Sequence, residues 1–190
     1  MKAVIWIIAI LFVPASAYLQ EESTSLDKEV VKYLTALEQR DLKKLTSYLY
    51  PATDNNSEKN KTADLLNRIF CDSSHQIQYA NSQLVSSTAI FQYENIKYST
   101  VFFTTELSIY LGKNNCPELI LEILEKQYGE KNILYDNCTN TATIHVIDFM
   151  YAIMNPKWNS WKFHSREDMV PQKVIDKFAL GIVNWMSGRI

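Results

Sequence analysis

Two stretches of this chain call for a sheet. Residues 98–111 place Val101, Phe103, Leu107, Ile109 and Leu111 on one side of an extended backbone, and Thr100, Thr104, Glu106 and Ser108 on the other. Period two with one apolar and one polar side marks an antiparallel strand that faces a core on one side and water on the other. Residues 141–154 form a second strand of similar length. Asn155-Pro156-Lys157 then turns the chain into a partner strand at residues 160–164. Residues 88–97, also rich in β-branched and aromatic side chains, precede the first run.

The remainder reads mainly as helix. In residues 26–39, Val30, Leu34 and Leu37 recur at helical spacing with charges on the opposite side, and Ser25 or Asp27 can cap the start. Arg40-Asp41 breaks this helix; Leu42, Leu45, Tyr48 and Leu49 carry a second, which Pro51 stops. Residues 54–61 read as a polar loop and residues 62–70 as a third helix. Pro117 at a first helical position and Gly129 after the last periodic residue bracket a helix inserted among the strands. A short strand at residues 132–136 and a turn at 137–140 follow it. Pro171 opens a final helix carrying Val174, Ile175, Phe178 and Ile182. The expected class is α+β: N-terminal helices packed on a curved, mainly antiparallel sheet, with an inserted helix and a C-terminal helix.

With 47% hydrophobic and 21% charged residues the chain has the balance of a folded protein, and its length suits one domain. Four glycines, all far apart, exclude a Walker loop and a dinucleotide fingerprint, because both need clustered glycines to bring backbone against phosphate. Met1-Lys2, an apolar run over residues 3–13 and Ala15-Ser16-Ala17 form the pattern of a secretory signal peptide over residues 1–17. The apolar run is too short to span a bilayer. Residues 18–25 are expected as a loose segment and residues 26–190 as one domain. The mature chain, more acidic than the formal charge of −2 once Lys2 is removed, is expected to be secreted or periplasmic, with no transmembrane segment. Three cysteines in an oxidising compartment allow one disulfide, Cys116 with Cys138 being the favoured pair by position. Sequons begin at Asn55, Asn60 and Asn137.

Residues 31–37, Val-Lys-Tyr-Leu-Thr-Ala-Leu, followed by residues 40–45, Arg-Asp-Leu-Lys-Lys-Leu, resemble the first two helices of the nuclear transport factor 2-like superfamily, a cone of curved sheet around N-terminal helices. Residues 150–153 and 158–163 resemble its closing hairpin. Tyr128 to Asn132, with Tyr135-Asp136 and residues 139–144, is similar to small exported bacterial proteins of this build, and residues 171–175 resemble their terminal helix entry. The inserted helix and the extra C-terminal helix depart from the cone. The resemblance implies that any chemistry sits in the apolar mouth of the cone, with a carboxylate as general base or a histidine–aspartate pair.

Asp148 is the residue that fits such a role. It alternates with Ile144, Val146, Met150 and Ala152 and is the one charge on that apolar face, where burial would raise its pKa. The plainer reading is a solvated carboxylate at the rim or edge of a strand. His145 and Tyr151 fall on the opposite face, which argues against a direct Asp148–His145 pair. Phe102, Tyr110 and Tyr151 are candidates to line a ligand site on the sheet, against the alternative that the strand aromatics are core. No cofactor or metal is expected, and an acidic chain with dispersed lysines does not suit nucleic acid. The expected role is non-enzymatic: binding a small apolar or sugar-like ligand, or a protein partner, outside the cytoplasm. The alternatives are a small isomerase, dehydratase or hydrolase using Asp148 with Tyr151 or Tyr110 as hydrogen-bond donor, and an interaction module whose sheet face pairs in a homodimer.

Overall fold

A computed structural model describes residues 15–49, 76–112, 116–158, 160–164 and 170–186, with side chains described from Ser25 to Leu49 and up to Ala179. The helix expected at residues 62–70, Cys71, and the first fourteen residues lie outside them. Helix α1 (Ala15–Glu38) starts eleven residues before the sequence places it, so residues 18–25 have helical backbone. Asp27 is therefore no cap; its carboxylate accepts from Ser87 Oγ at 3.2 Å. Leu26, Val30 and Leu34, spaced by four, are buried against the sheet.

The break after α1 is a Schellman-type closure. Arg40 takes a left-handed φ of 53°, its N–H reaches the Leu37 carbonyl, and the Asp41 N–H reaches that of Ala36. Glycine usually holds this position. Here the Arg40 guanidinium donates to the Ile77 carbonyl, tying the bend to the first strand. Asp41 then caps α2 (Leu42–Tyr48), accepting from the Lys44 N–H at 3.1 Å.

Among the described residues the sheet has six strands, all paired antiparallel: β1 (Ile77–Ser87), β2 (Phe91–Tyr93), β3 (Ile96–Tyr110), β4 (Ile133–Asp136), β5 (Thr141–Met154) and β6 (Lys162–His164). Their order is β1-β3-β5-β4, with β2 also beside β3 and β6 also beside β5. β3 and β5 pair along their full length, from Lys97↔Met154 to Tyr110↔Thr141. Residues 88–97 do not make one strand: Glu94 and Asn95, at φ 50° and 63°, form a two-residue turn between β2 and β3. β1, which the sequence reading does not delimit, carries register shifts at Ala80/Gln83 and Leu84/Ser86 that bend this edge.

Register sorts the side chains into two faces. Val101, Phe103, Thr105 and Leu107 pair with Met150, Asp148, Val146 and Ile144 on the first. That face is covered by α1 and α2 at one end and by α3 (Pro117–Tyr128) at the other. Tyr98, Phe102, Tyr151 and Ile153 lie on the second, under Val174 and Phe178 of α4 (Gln172–Met186). The expected polar face of β3 is thus wet only from Thr104 onward. Residues 98–102 are buried on both sides, because α4 supplies a second cover. This is the expected α+β arrangement of N-terminal helices on a curved antiparallel sheet with an inserted and a C-terminal helix.

Candidate functional site

The first face carries several apolar clusters, one of them, Ala36, Leu37 and Leu45 with Tyr33 and Tyr79 packed on it, where α1 and α2 meet β1. Leu26, Val30, Leu34, Val101, Met150, Ala152, Trp161 and Phe163 form the cluster under α1, while Leu107, Leu111, Leu124, Ala142 and Ile144 form that under α3. Asp148 stands between them: its strand neighbour Met150 belongs to the first and Val146 packs on the second. In line with Asp148 across the sheet stand the apolar Phe103 on β3 and Leu84 on β1; polar groups meet one pair further along, opposite Val146. Thr105, buried on the adjacent strand, has its hydroxyl 2.8 Å from that of Ser82 on β1, and the Ser82 N–H donates to Glu38 of α1 at 2.6 Å. The result is a polar seam made of two parts, Asp148 on β5 and, one pair along, the group of Thr105, Ser82 and Glu38.

Two half-buried tyrosines lie on the same face within the apolar clusters, Tyr33 with its ring 5.0 Å from Phe163 and 5.9 Å from Tyr48, and Tyr79 against Ala36, Leu37 and Leu45. Tyr33, on the sheet side of α1, has its phenol pushed up to about 12 by burial, then by the charges of Tyr79 and Asp148. The Tyr79 phenol is raised by burial, by Tyr128 of α3 and by Asp148. The Asp148 carboxyl is itself held above the ordinary carboxylate range by loss of water, opposed by a 2.7 Å hydrogen bond from the Phe149 N–H. Asp148 is nevertheless an exposed residue, as the plainer reading of a solvated carboxylate at the rim of a strand has it. A solvent-exposed carboxylate that is partly screened from water can accept from a cation or a hydrogen-bond donor.

The other expected site residues do not join this seam. Tyr151 is 0% and Phe102 2% exposed, both in the cluster beneath α4, where Phe149 stacks edge-on to Tyr151 at 5.9 Å and tilted to Phe102 at 6.3 Å. They are core side chains, as the plainer reading of the strand aromatics has it. Tyr110 shares their face but lies eight residues along β3 from Phe102, about 26 Å away at strand rise. Tyr151 and Tyr110 are both across the sheet from Asp148, so the sheet itself separates the carboxylate from those donors. His145 also lies on that far face, 3.5 Å from Glu106 on the neighbouring strand. Cys116, at the α3 start, and Cys138, in the β4–β5 turn, are exposed free thiols.

Tyr33 and Tyr79 are the residues that sequence reasoning missed. Tyr33 falls beside Val30 and Leu34 in a helical pattern that reads as core, and Tyr79 belongs to a strand the pattern does not delimit. No protein-family model matches the chain, and no curated protein matches it. No helix among the described residues is long and apolar enough to cross a membrane.

Proposed function

We propose that this chain is an exported, non-enzymatic binding domain whose recognition site is the seam of Asp148, Tyr33 and Tyr79. The observation that carries this reading is an exposed carboxylate, its pKa raised by partial loss of water, on β5 between Met150 and Val146, which pack in different helix-covered clusters. Retaining such a group costs stability, and a ligand that pairs with it recovers that cost. The preferred ligand offers a cationic or strongly donating group next to an apolar or aromatic surface, on a small molecule or on a protein side chain. The apolar start of the chain with its Ala-x-Ala site supports export, and helices preceding a curved antiparallel sheet support the nuclear transport factor 2-like resemblance.

Catalysis has less support. A general base needs the reacting proton within hydrogen-bond reach and a partner to orient it. The hydrogen bond recorded at the Asp148 carboxylate comes from the adjacent backbone instead. A homodimer through the open part of the second face is also less supported. Its most exposed apolar groups, Ile147 and Leu134, are set among Thr143, His145, Ser108 and Glu106 rather than in one patch. The test is an NMR titration with tetramethylammonium, a neutral sugar and an aromatic hydrocarbon. The cation is expected to shift the signals of Tyr33, Tyr79 and Asp148. Shifts confined to the second face, or none with any probe, would refute the seam as a site.

A further inference from the structure

We infer that Glu106 and His145 form a binding site for a divalent transition-metal ion such as zinc on the second face of the sheet, with Asn81 as the positioning residue. This site lies across the sheet from Asp148 and stands independently of the seam. Three neighbouring strands supply it in one row. Glu106 on β3 and His145 on β5 are directly paired. On β1 the register shift between Ala80 and Gln83 sets two residues, Asn81 and Ser82, against the single Thr105. Asn81 takes a left-handed φ of 52° there, and the two side chains part. Ser82 Oγ stands 2.8 Å from the Thr105 hydroxyl on the first face, while Asn81 Nδ2 donates to Glu106 Oε2 at 2.6 Å on the second. Re-aiming a side chain in this way is a common use of a bulge.

The distance between the two ligating atoms selects the occupant. His145 Nδ1 and Glu106 Oε1 are 3.5 Å apart, well beyond the roughly 2.8 Å of a charge-assisted hydrogen bond. A tetrahedral ion bonded to nitrogen and oxygen at about 2.1 Å holds those two atoms about 3.4 Å apart. The gap therefore fits the edge of a coordination shell better than a shared proton. Asn81 completes the arrangement. Its hydrogen bond occupies Oε2 and leaves Oε1 to the imidazole side, the part that outer-shell donors play around bound metals. No lysine or arginine pairs with Glu106 among the described residues, so its charge is left for an ion.

The surroundings set the kind of binding. The His145 side chain is 52% exposed and that of Glu106 30%, so an ion reaches both from solvent. Among the described residues no three His, Cys, Asp or Glu side chains gather in one place. Two protein ligands hold the ion and water fills its remaining positions, which makes the site exchangeable rather than structural. Imidazole beside carboxylate suits zinc or copper, whereas magnesium demands oxygen ligands in octahedral array. No short motif announces the site, because its residues come from three strands and meet only in the sheet.

The probe is zinc chloride added to the full chain, followed by NMR titration and thermal melting, with magnesium chloride as the comparison. Zinc should shift the signals of His145, Glu106 and Asn81 in a saturable way and raise the melting temperature, and magnesium should do neither. Glu106→Gln and His145→Gln should each weaken zinc binding by about tenfold or more and remove the rise in melting temperature. Asn81→Gly keeps the left-handed backbone and loses the carboxamide; it should weaken zinc binding by about tenfold. Four results would overturn the proposal. They are zinc shifts that avoid His145, equal zinc affinity for Glu106→Gln, undiminished affinity for Asn81→Gly, and an equal response to magnesium. The second would mark a lone surface histidine, and the last an adventitious ion only.

Discussion

At the scale of single residues, Asp148 and Tyr33 carry pH behaviour of readable sign. Burial holds the Asp148 carboxyl above its ordinary range, so the folded chain takes up this proton at higher pH than the unfolded chain does. Stability linked to this group is fully present below about pH 3.9 and is lost as pH rises through the folded pKa. Asp148→Asn keeps an oxygen for the Phe149 N–H and carries no charge. Its melting temperature should exceed that of the parent at pH 7, with the difference closing toward pH 3. A constant difference at both pH values would mean that charge is not what the site penalises. Tyr33 titrates at the other end. Its folded pKa of about 12 against about 10 unfolded means that its contribution is complete below pH 10 and is lost as pH approaches 12. Tyr33→Phe should flatten the fall in stability over that interval, measured by urea midpoints at pH 9, 10 and 11. Asp148 was legible in the sequence as the lone charge on an apolar face. The surroundings of Tyr33 were not, because a tyrosine in a helical stripe looks the same whether it meets leucine or, as here, Phe163 and Tyr48.

At the scale of elements, short turns settled boundaries that propensity left loose. The inserted helix is bracketed by Pro117 and Gly129, which takes φ 84° and returns its N–H to the Glu125 carbonyl, and the sequence located it to the residue. The β2–β3 turn was invisible because Glu94 and Asn95 are not the usual pair for two positive φ values. That mismatch makes a prediction. Replacing Glu94 with Asn and Asn95 with Gly should stabilise the chain by about 1 kcal/mol, since the strained left-handed residues become permitted ones. The check is the urea midpoint, and an unchanged or lower value would show that the turn is held by its surroundings. α1 shows the converse. Its C-terminal closure uses arginine where glycine is usual, and its pattern was still readable because Val30, Leu34 and Leu37 mark the buried stripe.

At the scale of the whole molecule, the deciding contact is α4 on the second face. Phe178, 5% exposed, meets Phe91 edge-on at 6.3 Å and closes the cluster of Tyr98, Phe102, Tyr151 and Ile153. Phe178→Ala should cost about 3 kcal/mol or more and should increase binding of a hydrophobic dye, because that cluster has no other cover among the described helices. A loss below about 1 kcal/mol would show that α4 rests on the sheet without holding it. Alternation of apolar and polar residues determined by itself that β3 and β5 are antiparallel strands, and helical periodicity determined which stripe of α1 is buried. Both are local properties of a regular backbone, so a single pass along the chain contains them. What covers each face was decided only when distant segments met. Phe102 and Tyr151 became core under a helix some 70 and 20 residues further on. Asp148 came to stand between clusters because its neighbours Met150 and Val146 were drawn under different helices, α1 and α3.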